Sequence, residues 1–323
     1  MVVVTGAAGF IGSNVIAALN ARGRSDIVGV DSFREVPRDR RTFHELTIDA
    51  YVHRDDLRQW LEKTGVAVQA VIHQGACSDT TVRDRDYVMA VNTEYTRMLW
   101  QWCTRTGVPF VYASSAATYG DGSQGYDDEA DPRSLKPLNL YGESKHRFDL
   151  WALEQVHTPP RWAGVKYFNV YGPREAHKGR MASVVFHAYH QIRQTGRVKL
   201  FKSFREGYAD GGQRRDFVYV EDAVAATLHL LEREVSAQAP NGLYNVGTGR
   251  ARTFADLARA VFAALGRDPT IEYIPMPEDL RDRYQYFTQA RIDKLRRSGY
   301  ARPFRPIEEG VREYAAYLDA FHS

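Results

Sequence analysis

Cysteine is scarce in this sequence. Cys77 and Cys103 are the only two in 323 residues, and they form no Cys-x-x-Cys pair. That speaks against a disulfide framework and for a reducing compartment. Long apolar runs are also missing: none approaches the roughly 18 residues that a membrane-spanning helix needs. Val2–Val4 already reads as a core strand, which leaves no room for a signal peptide. A soluble, cytoplasmic protein is therefore expected. Charge of one sign is lacking too, since 43 basic and 40 acidic side chains are interspersed and leave a net charge of +3. Such a balance gives no argument for nucleic acid or a membrane surface as partner. The ten histidines include no His-Glu-x-x-His, and no Cys/His spacing suits zinc, so no metal is expected. His187 and His190, three apart, read as core or surface residues of a helix rather than ligands. Internal repeats and low-complexity linkers are absent.

What is present begins with alternation. Val2–Val4, Ile27–Val30, Ala70–His73 and Phe110–Ser114 are short apolar runs, as expected of strands buried on both faces. Amphipathic stretches lie between them, with Ile11, Val15 and Leu19 at spacing four. Strands alternating with helices imply βαβ units with right-handed crossovers and a parallel sheet. A fifth strand, Val165–Asn169, is expected to end at Tyr171-Gly172-Pro173, followed by a helix around Met181–Gln194. Phe217–Val220 and Leu243–Val246 read as further strands, and from Thr253 the tail is mostly helical. The domain reading is 1–170 for the first unit, with 215–250 rejoining it, and 171–214 with 251–323 for the second.

The first strand runs into Thr5-Gly6-Ala7-Ala8-Gly9-Phe10-Ile11-Gly12 and then a helix. Glycines at 6, 9 and 12 permit a tight turn, close approach of backbone to a pyrophosphate and close helix–strand packing. The helix start offers free N–H groups to the anion, and Phe10 and Ile11 are expected beside the cofactor. The spacing is GxxGxxG rather than the GxGxxG of the standard fingerprint. Asp31, nineteen residues after Gly12, stands where a ribose-binding acid belongs. The alternative is an ordinary βα turn punctuated by glycine. The expected fold is thus α/β, a Rossmann-type doubly wound parallel sheet with a smaller, mostly helical C-terminal substrate domain. Asp31 favours NAD. Ser32 and Arg34, with Arg38, Arg40 and Arg41 beyond, can hold the 2′-phosphate of NADP or form a solvated loop, so both cofactors stay open.

Tyr141 and Lys145 lie four apart in Tyr-Gly-Glu-Ser-Lys and share one face of a helix. An ammonium beside the phenol, with a cationic nicotinamide nearby, favours the tyrosinate and lowers its pKa. Such pairs are also common on surfaces. What distinguishes this one is its position after a strand whose end carries Ser114-Ser115, where a serine hydroxyl can reach the same substrate oxygen.

Gly6-x-x-Gly9-x-x-Gly12, Ser115, Tyr141 and Lys145 together resemble the extended short-chain dehydrogenase/reductases. That resemblance implies Tyr141 as general acid/base, Lys145 as its partner and a nicotinamide-ribose ligand, and Ser115 as substrate orienter. It further implies that Asn92 and the loop Gln74-Gly75-Ala76-Cys77 lie on the cofactor side. The dehydratase branch carries Thr-Asp-Glu where this chain has Ser114-Ser115-Ala116, which disfavours dehydration.

Within that family, the stretch Tyr167-Phe168-Asn169-Val170-Tyr171-Gly172-Pro173-Arg174-Glu175-Ala176-His177-Lys178-Gly179-Arg180-Met181-Ala182-Ser183 is similar to the ADP-glyceromanno-heptose 6-epimerases. So are Gln74–Ser78, Ser114–Gly120, Arg215–Val220, Gly247–Arg250 and Arg283–Gln289. The resemblance implies an isomerase with one tightly bound NADP or NAD per subunit, Val170 near that cofactor, and a nucleotide-diphospho-sugar substrate. It also implies a homo-oligomer, with a pentamer suggested, and a place in bacterial surface-polysaccharide (lipopolysaccharide) supply. The expected reaction oxidises C6 of the heptose transiently and reduces it again from the opposite face.

Returning a hydride to the other face requires a reoriented ketone or a second acid/base group, and the resemblance assigns Lys178 to that second role. A phosphate-binding or solvent-facing lysine is the alternative. Arg215 is the candidate cation for the substrate pyrophosphate, with Asn169, His187 and Tyr284 as neighbours implied by the resemblance. Arg215 can instead be a structural ion-pair partner of Asp216. The chain departs from some members of the group at Lys202-Ser203-Phe204, in the longer loop Arg205–Gln213 and at Ser32–Phe43. Rival readings are a UDP-sugar 4-epimerase or 4-keto reductase, and a dinucleotide-binding protein without turnover.

Overall fold

The computed structural model describes residues 1–32, 41–65, 67–281 and 284–322. Its strands in chain order are β1 (Val2–Thr5), β2 (Ile27–Asp31), β3 (Ala50–His53), β4 (Ala70–His73), β5 (Phe110–Ser115), β6 (Trp162–Tyr167), β7 (Asn169–Tyr171), β8 (Val198–Phe201), β9 (Arg214–Arg215), β10 (Phe217–Tyr219), β11 (Gly242–Val246), β12 (Arg252–Thr253) and β13 (Ile271–Ile274). Seven of them form one sheet in the order β11-β6-β5-β4-β1-β2-β3, with every neighbouring pair parallel.

Both faces of that sheet are covered, which explains why its strands are nearly continuous apolar runs. Val2, Val4, Ile72, Val111 and Val165 pack with Val15, Ile16 and Leu19 of the helix Phe10–Ala21, and with Val224, Leu228 and Leu231 of the helix Val220–Glu232. Val3, Val28, Val71 and Phe110 point the other way, onto Leu99, Trp100 and Cys103 of the helix Tyr95–Thr106 and Phe148 of the helix Leu140–Leu153. Alternate residues of each strand thus feed opposite cores, as a period-two backbone requires. This is the doubly wound parallel sheet read from the sequence. The strand β3 was not foreseen: Ala-Tyr-Val-His has no apolar run, because it lies at the sheet edge with only Val52 buried.

The expected strand Val165–Asn169 divides. β6 ends at Tyr167, and Phe168 turns aside into a small cluster with Tyr119, Tyr126 and Leu135. β7 then pairs with β10 outside the main sheet, while β11 lies beside β6 within it. Val220, read as the end of a strand, is the first residue of a helix. A separate core gathers Val185, Ile192, Leu200, Leu257, Val261, Val311 and Leu318 from the C-terminal helices and the β8–β13 pair. The helix expected around Met181–Gln194 runs Val184–Thr195. Among the described residues, no helix is long and apolar enough to cross a membrane, and no group of three or more His, Cys, Asp or Glu is placed to hold a metal.

Candidate active site

The strand order reverses at β1, which has β2 on one side and β4 on the other. In open α/β sheets ligands bind beyond the strand ends at that reversal, and here a cavity of about 870 Å³ opens there. Its wall includes Gly6, Gly9, Phe10, Ile11 and Gly12 after β1, Asp31 at the end of β2 with Ser32 beyond it, and Gln74, Gly75 and Ala76 after β4. Ser115, Tyr141, Asn169, Val170 and Lys178 complete the candidate residues on that wall.

The glycine loop is shaped by contacts that leave no room for a side chain. Gly6 has φ 65°, and a Cβ on it would lie 2.6 Å from the Gly75 nitrogen; a Cβ on Gly12 would run into the Gly6 carbonyl oxygen. The helix Phe10–Ala21 begins after Gly9 without any side-chain cap, so its first N–H groups face the cavity. Asp31 accepts from the Ala8 N–H at 2.9 Å and the Ser32 N–H at 2.7 Å, which ties the end of β2 to the loop. Gln74 keeps both amide atoms buried without a well-formed hydrogen bond inside the chain. An uncapped helix start, a ribose-side acid and a hungry amide along one trough fit a dinucleotide. Arg34, Arg38 and Arg40 lie outside the described residues; Arg54, which no sequence signal marked, lines the wall near Asp31.

Asn92 is not on the wall but behind it. It accepts from the Cys77 N–H at 2.8 Å and donates to the Cys77 carbonyl at 3.0 Å and the Ser144 hydroxyl at 2.9 Å. A second chain of bonds reaches it through His73. Thr96 spends its hydroxyl hydrogen on the Asn92 carbonyl at 2.7 Å, so it accepts from Nε2–H of His73 at 2.9 Å. Nδ1 then accepts from Thr5 at 2.5 Å, and Thr5 accepts from the Gly75 N–H at 3.2 Å. Complete burial, reinforced by Lys145, holds this imidazole well below its usual range, hence neutral. The network locks the glycine loop, the Gln74–Cys77 loop and the Tyr141 helix to one another.

The helix Leu140–Leu153 starts at Asn139, whose side chain accepts from the Gly142 N–H at 2.8 Å. Tyr141, in its first turn, hydrogen-bonds Ser115 at the end of β5. Burial pushes its phenol above the ordinary value, and the Ser115 hydroxyl works against that. Lys145 is 2 % exposed and sits behind the wall; burial pulls its ammonium down to about 8, with Asp149 opposing. The expected lowering of the phenol by Lys145 is therefore not found: the Tyr141 pKa is raised by burial, serine is what opposes the rise, and Lys145 is itself destabilised as a cation.

Lys178 lies on the short 3-10 segment Ala176–Met181, with Nζ 5.3 Å from the centre of the Phe10 ring. Burial lowers its pKa, and Glu175 raises it. Phe10 opens the glycine-loop helix, so this lysine stands beside the phosphate loop rather than in open solvent.

The remaining candidates do not themselves line this wall, although Arg215 packs against Phe254, which does. Arg215 is buried between Phe254 and Tyr284, 5.6 and 5.2 Å from their ring centres, and donates to the Arg214 carbonyl at 2.9 Å. It is not the partner of Asp216, whose carboxylate accepts from Thr248, Gly249 and Ala290. His187 Nε2 lies 3.3 Å from the Arg180 carbonyl. Sequence reasoning missed Tyr87, Tyr95 and Phe217 as wall residues; each reads as an ordinary apolar position, and only the fold turns it toward the cavity.

Comparison with known proteins agrees with this fold. The model of the NAD dependent epimerase/dehydratase family matches residues 2–247. A Nitratidesulfovibrio vulgaris protein named ADP-L-glycero-D-manno-heptose-6-epimerase is 50% identical over 324 residues, covering 99% of this chain and 98% of its own. Among solved structures, the Helicobacter pylori ADP-L-glycero-D-manno-heptose-6-epimerase superposes with a TM-score of 0.82 at 28% identity, over 99% of this chain and 96% of that one. A Thermus thermophilus UDP-glucose 4-epimerase in complex with NAD gives 0.77 at 28% identity, over 98% of both chains.

Proposed function

The chain belongs to the NAD dependent epimerase/dehydratase family, and from that premise we propose that it is an ADP-glyceromanno-heptose 6-epimerase. It interconverts ADP-D-glycero-β-D-manno-heptose and ADP-L-glycero-β-D-manno-heptose. The observation that carries this reading is the meeting of Ser115, Tyr141 and Lys178 with the glycine loop on one cavity wall. Near full-length similarity to relatives of that name supplies the sugar.

When bound, the nicotinamide cofactor supplies reversible two-electron chemistry at C6 of the heptose. The chain's own groups manage the proton on the reacting oxygen. Tyr141, bonded to Ser115, takes or returns that proton in one pose of the sugar, while Ser115 fixes the oxygen's direction. Lys178 serves the other pose; burial lowers its pKa, which makes its ammonium a readier proton donor than an exposed lysine. Lys145 orients the nicotinamide ribose, and Asn92 holds the loop beneath the cofactor. Arg215, caged by aromatic rings and with no carboxylate partner among the described contacts, takes the substrate diphosphate, with Asn169, His187 and Tyr284 around it. Asp31, Ser32 and Arg54 would hold the cofactor's 2′ end, the acid accepting from the ribose hydroxyl of NAD or the guanidinium pairing with the 2′-phosphate of NADP. The mass of the co-purifying dinucleotide distinguishes NAD from NADP. We also read residues 1–170 with 215–250 as the cofactor unit and the rest as the substrate unit of a cytoplasmic homo-oligomer supplying lipopolysaccharide precursors.

The test is an assay of purified protein with each ADP-heptose epimer and with a UDP-hexose. Interconversion of the heptoses is expected. Turnover of the UDP-hexose with none of either heptose overturns the proposal.

A further inference from the structure

Lys178 rides on a segment that Arg180 pins on one side, through the Thr81 hydroxyl at 2.6 Å and Asp79 at 3.6 Å. The 3-10 turn Ala176–Met181 lies between the short strand β7 and the helix Val184–Thr195. Its entry is unusual, with Gly172 at φ 142° and Arg174 at φ 71°, a left-handed conformation that a non-glycine residue adopts at a cost. Immediately before the turn, at its N-cap, sits Glu175, 0% exposed.

Every polar contact of that carboxylate ties down the same stretch of chain. Oε2 accepts from the Ser183 N–H at 2.6 Å; Oε1 accepts from the Ser183 hydroxyl at 2.6 Å and the Gly172 N–H at 3.3 Å. Tyr314, from the C-terminal helix Ile307–His322, hydrogen-bonds the same carboxylate. The Glu175 carbonyl accepts from the Lys178 N–H at 2.9 Å. Ser183 in turn caps the next helix, its oxygen accepting from the Phe186 N–H at 3.2 Å. One side chain therefore joins the residue before the segment, the residue after it, and a helix from the second core. A carboxylate surrounded by donors suits the charged form, since a proton on it would have to face a donor. Burial raises the Glu175 carboxyl, with Ser183, Gly172 and Lys178 opposing.

We propose that Glu175 is a positioning residue for the reaction: by clasping Gly172, Ser183 and Tyr314 together it fixes Lys178 on the cavity wall beside Phe10. This rests on the reading of Lys178 as the second acid/base group. Glu175→Gln keeps the shape but sets an amide NH₂ against donors it cannot accept from, so the clasp opens while the core volume is unchanged.

Two readouts on the full-length enzyme test it: kcat with KM for the ADP-heptose, and the reactivity of Lys178 toward a trace amine reagent, read by peptide mass spectrometry. For Glu175→Gln we expect kcat to fall at least tenfold with KM within about threefold. Lys178 labelling should rise at least threefold toward that of surface lysines, while other lysines stay unchanged. A fall in kcat without a change at Lys178, or no change in either, overturns the inference. A rise in Lys178 labelling with undiminished kcat keeps the clasp and overturns instead the acid/base reading of Lys178. Should Glu175→Gln fail to fold, Tyr314→Phe, which removes a single hydroxyl donor, decides by the same two measurements with smaller effects in the same directions.

Discussion

Replacing Lys166 by methionine tests whether a buried charge pair anchors the helix that carries Tyr141 and Lys145. Lys166, on β6, is 1% exposed; its Nζ lies 2.9 Å from Asp149 Oδ2 and 2.6 Å from the Thr118 hydroxyl. Asp149, one helical turn beyond Lys145, also accepts from the Tyr112 hydroxyl at 2.9 Å and the Ser114 hydroxyl at 2.7 Å. Helix, β5 and β6 thus meet at one carboxylate just below Ser115. Methionine keeps most of lysine's apolar stem but removes the charge and the donors to Asp149 and Thr118, leaving Asp149 buried without a counter-ion. Breaking such a pair costs about 3–5 kcal/mol. With an unfolding entropy of about 2.1 cal/mol/K per residue over the whole chain, that lowers Tm by about 4–7 °C. Urea midpoints and melting followed by circular dichroism measure it. Lys166→Met with Asp149→Leu should recover part of the loss, since hydroxyl donors alone are then unpaired. A single-variant loss under about 1 kcal/mol, the range of exposed ion pairs, would refute the argument.

Other expectations concern the site itself. Tyr141→Phe should cut turnover by about 10²–10⁴-fold while the dinucleotide stays bound; unchanged turnover removes Tyr141 from proton transfer. Gly12→Ala should strip the cofactor, because the new methyl meets the Gly6 carbonyl; a purified variant with wild-type absorbance at 260 nm contradicts this. Lys145 titrates at about 8 when folded and near 10.4 when unfolded. The unfolded chain therefore binds more protons between those values, and wild-type stability rises with pH across that window. Lys145→Met should be more stable by about 3 kcal/mol at pH 7, with the difference gone by about pH 10.5. A difference in urea midpoints that ignores pH tells against desolvation as the cause.

Much of this molecule follows from local rules that one dimension can carry. The twofold-buried strands β1, β2, β4 and β5 are apolar because helices cover both faces. The glycines at 6 and 12 are needed because the backbone passes itself too closely for any Cβ. Tyr141 and Lys145 share a face because a helix returns every 3.6 residues. What tertiary structure alone decided are the relations across long separations. Phe168 leaves the sheet and splits an expected strand because an aromatic pocket formed by Tyr119 and Tyr126 receives it. Asp216 turns to the backbone of Thr248 and Gly249 rather than to its neighbour Arg215. Lys178 comes to Phe10 across most of the cofactor half, and Glu175 finds Tyr314 in the last helix. Periodicity records which face of an element is buried, whereas a partner's identity depends on how whole elements pack.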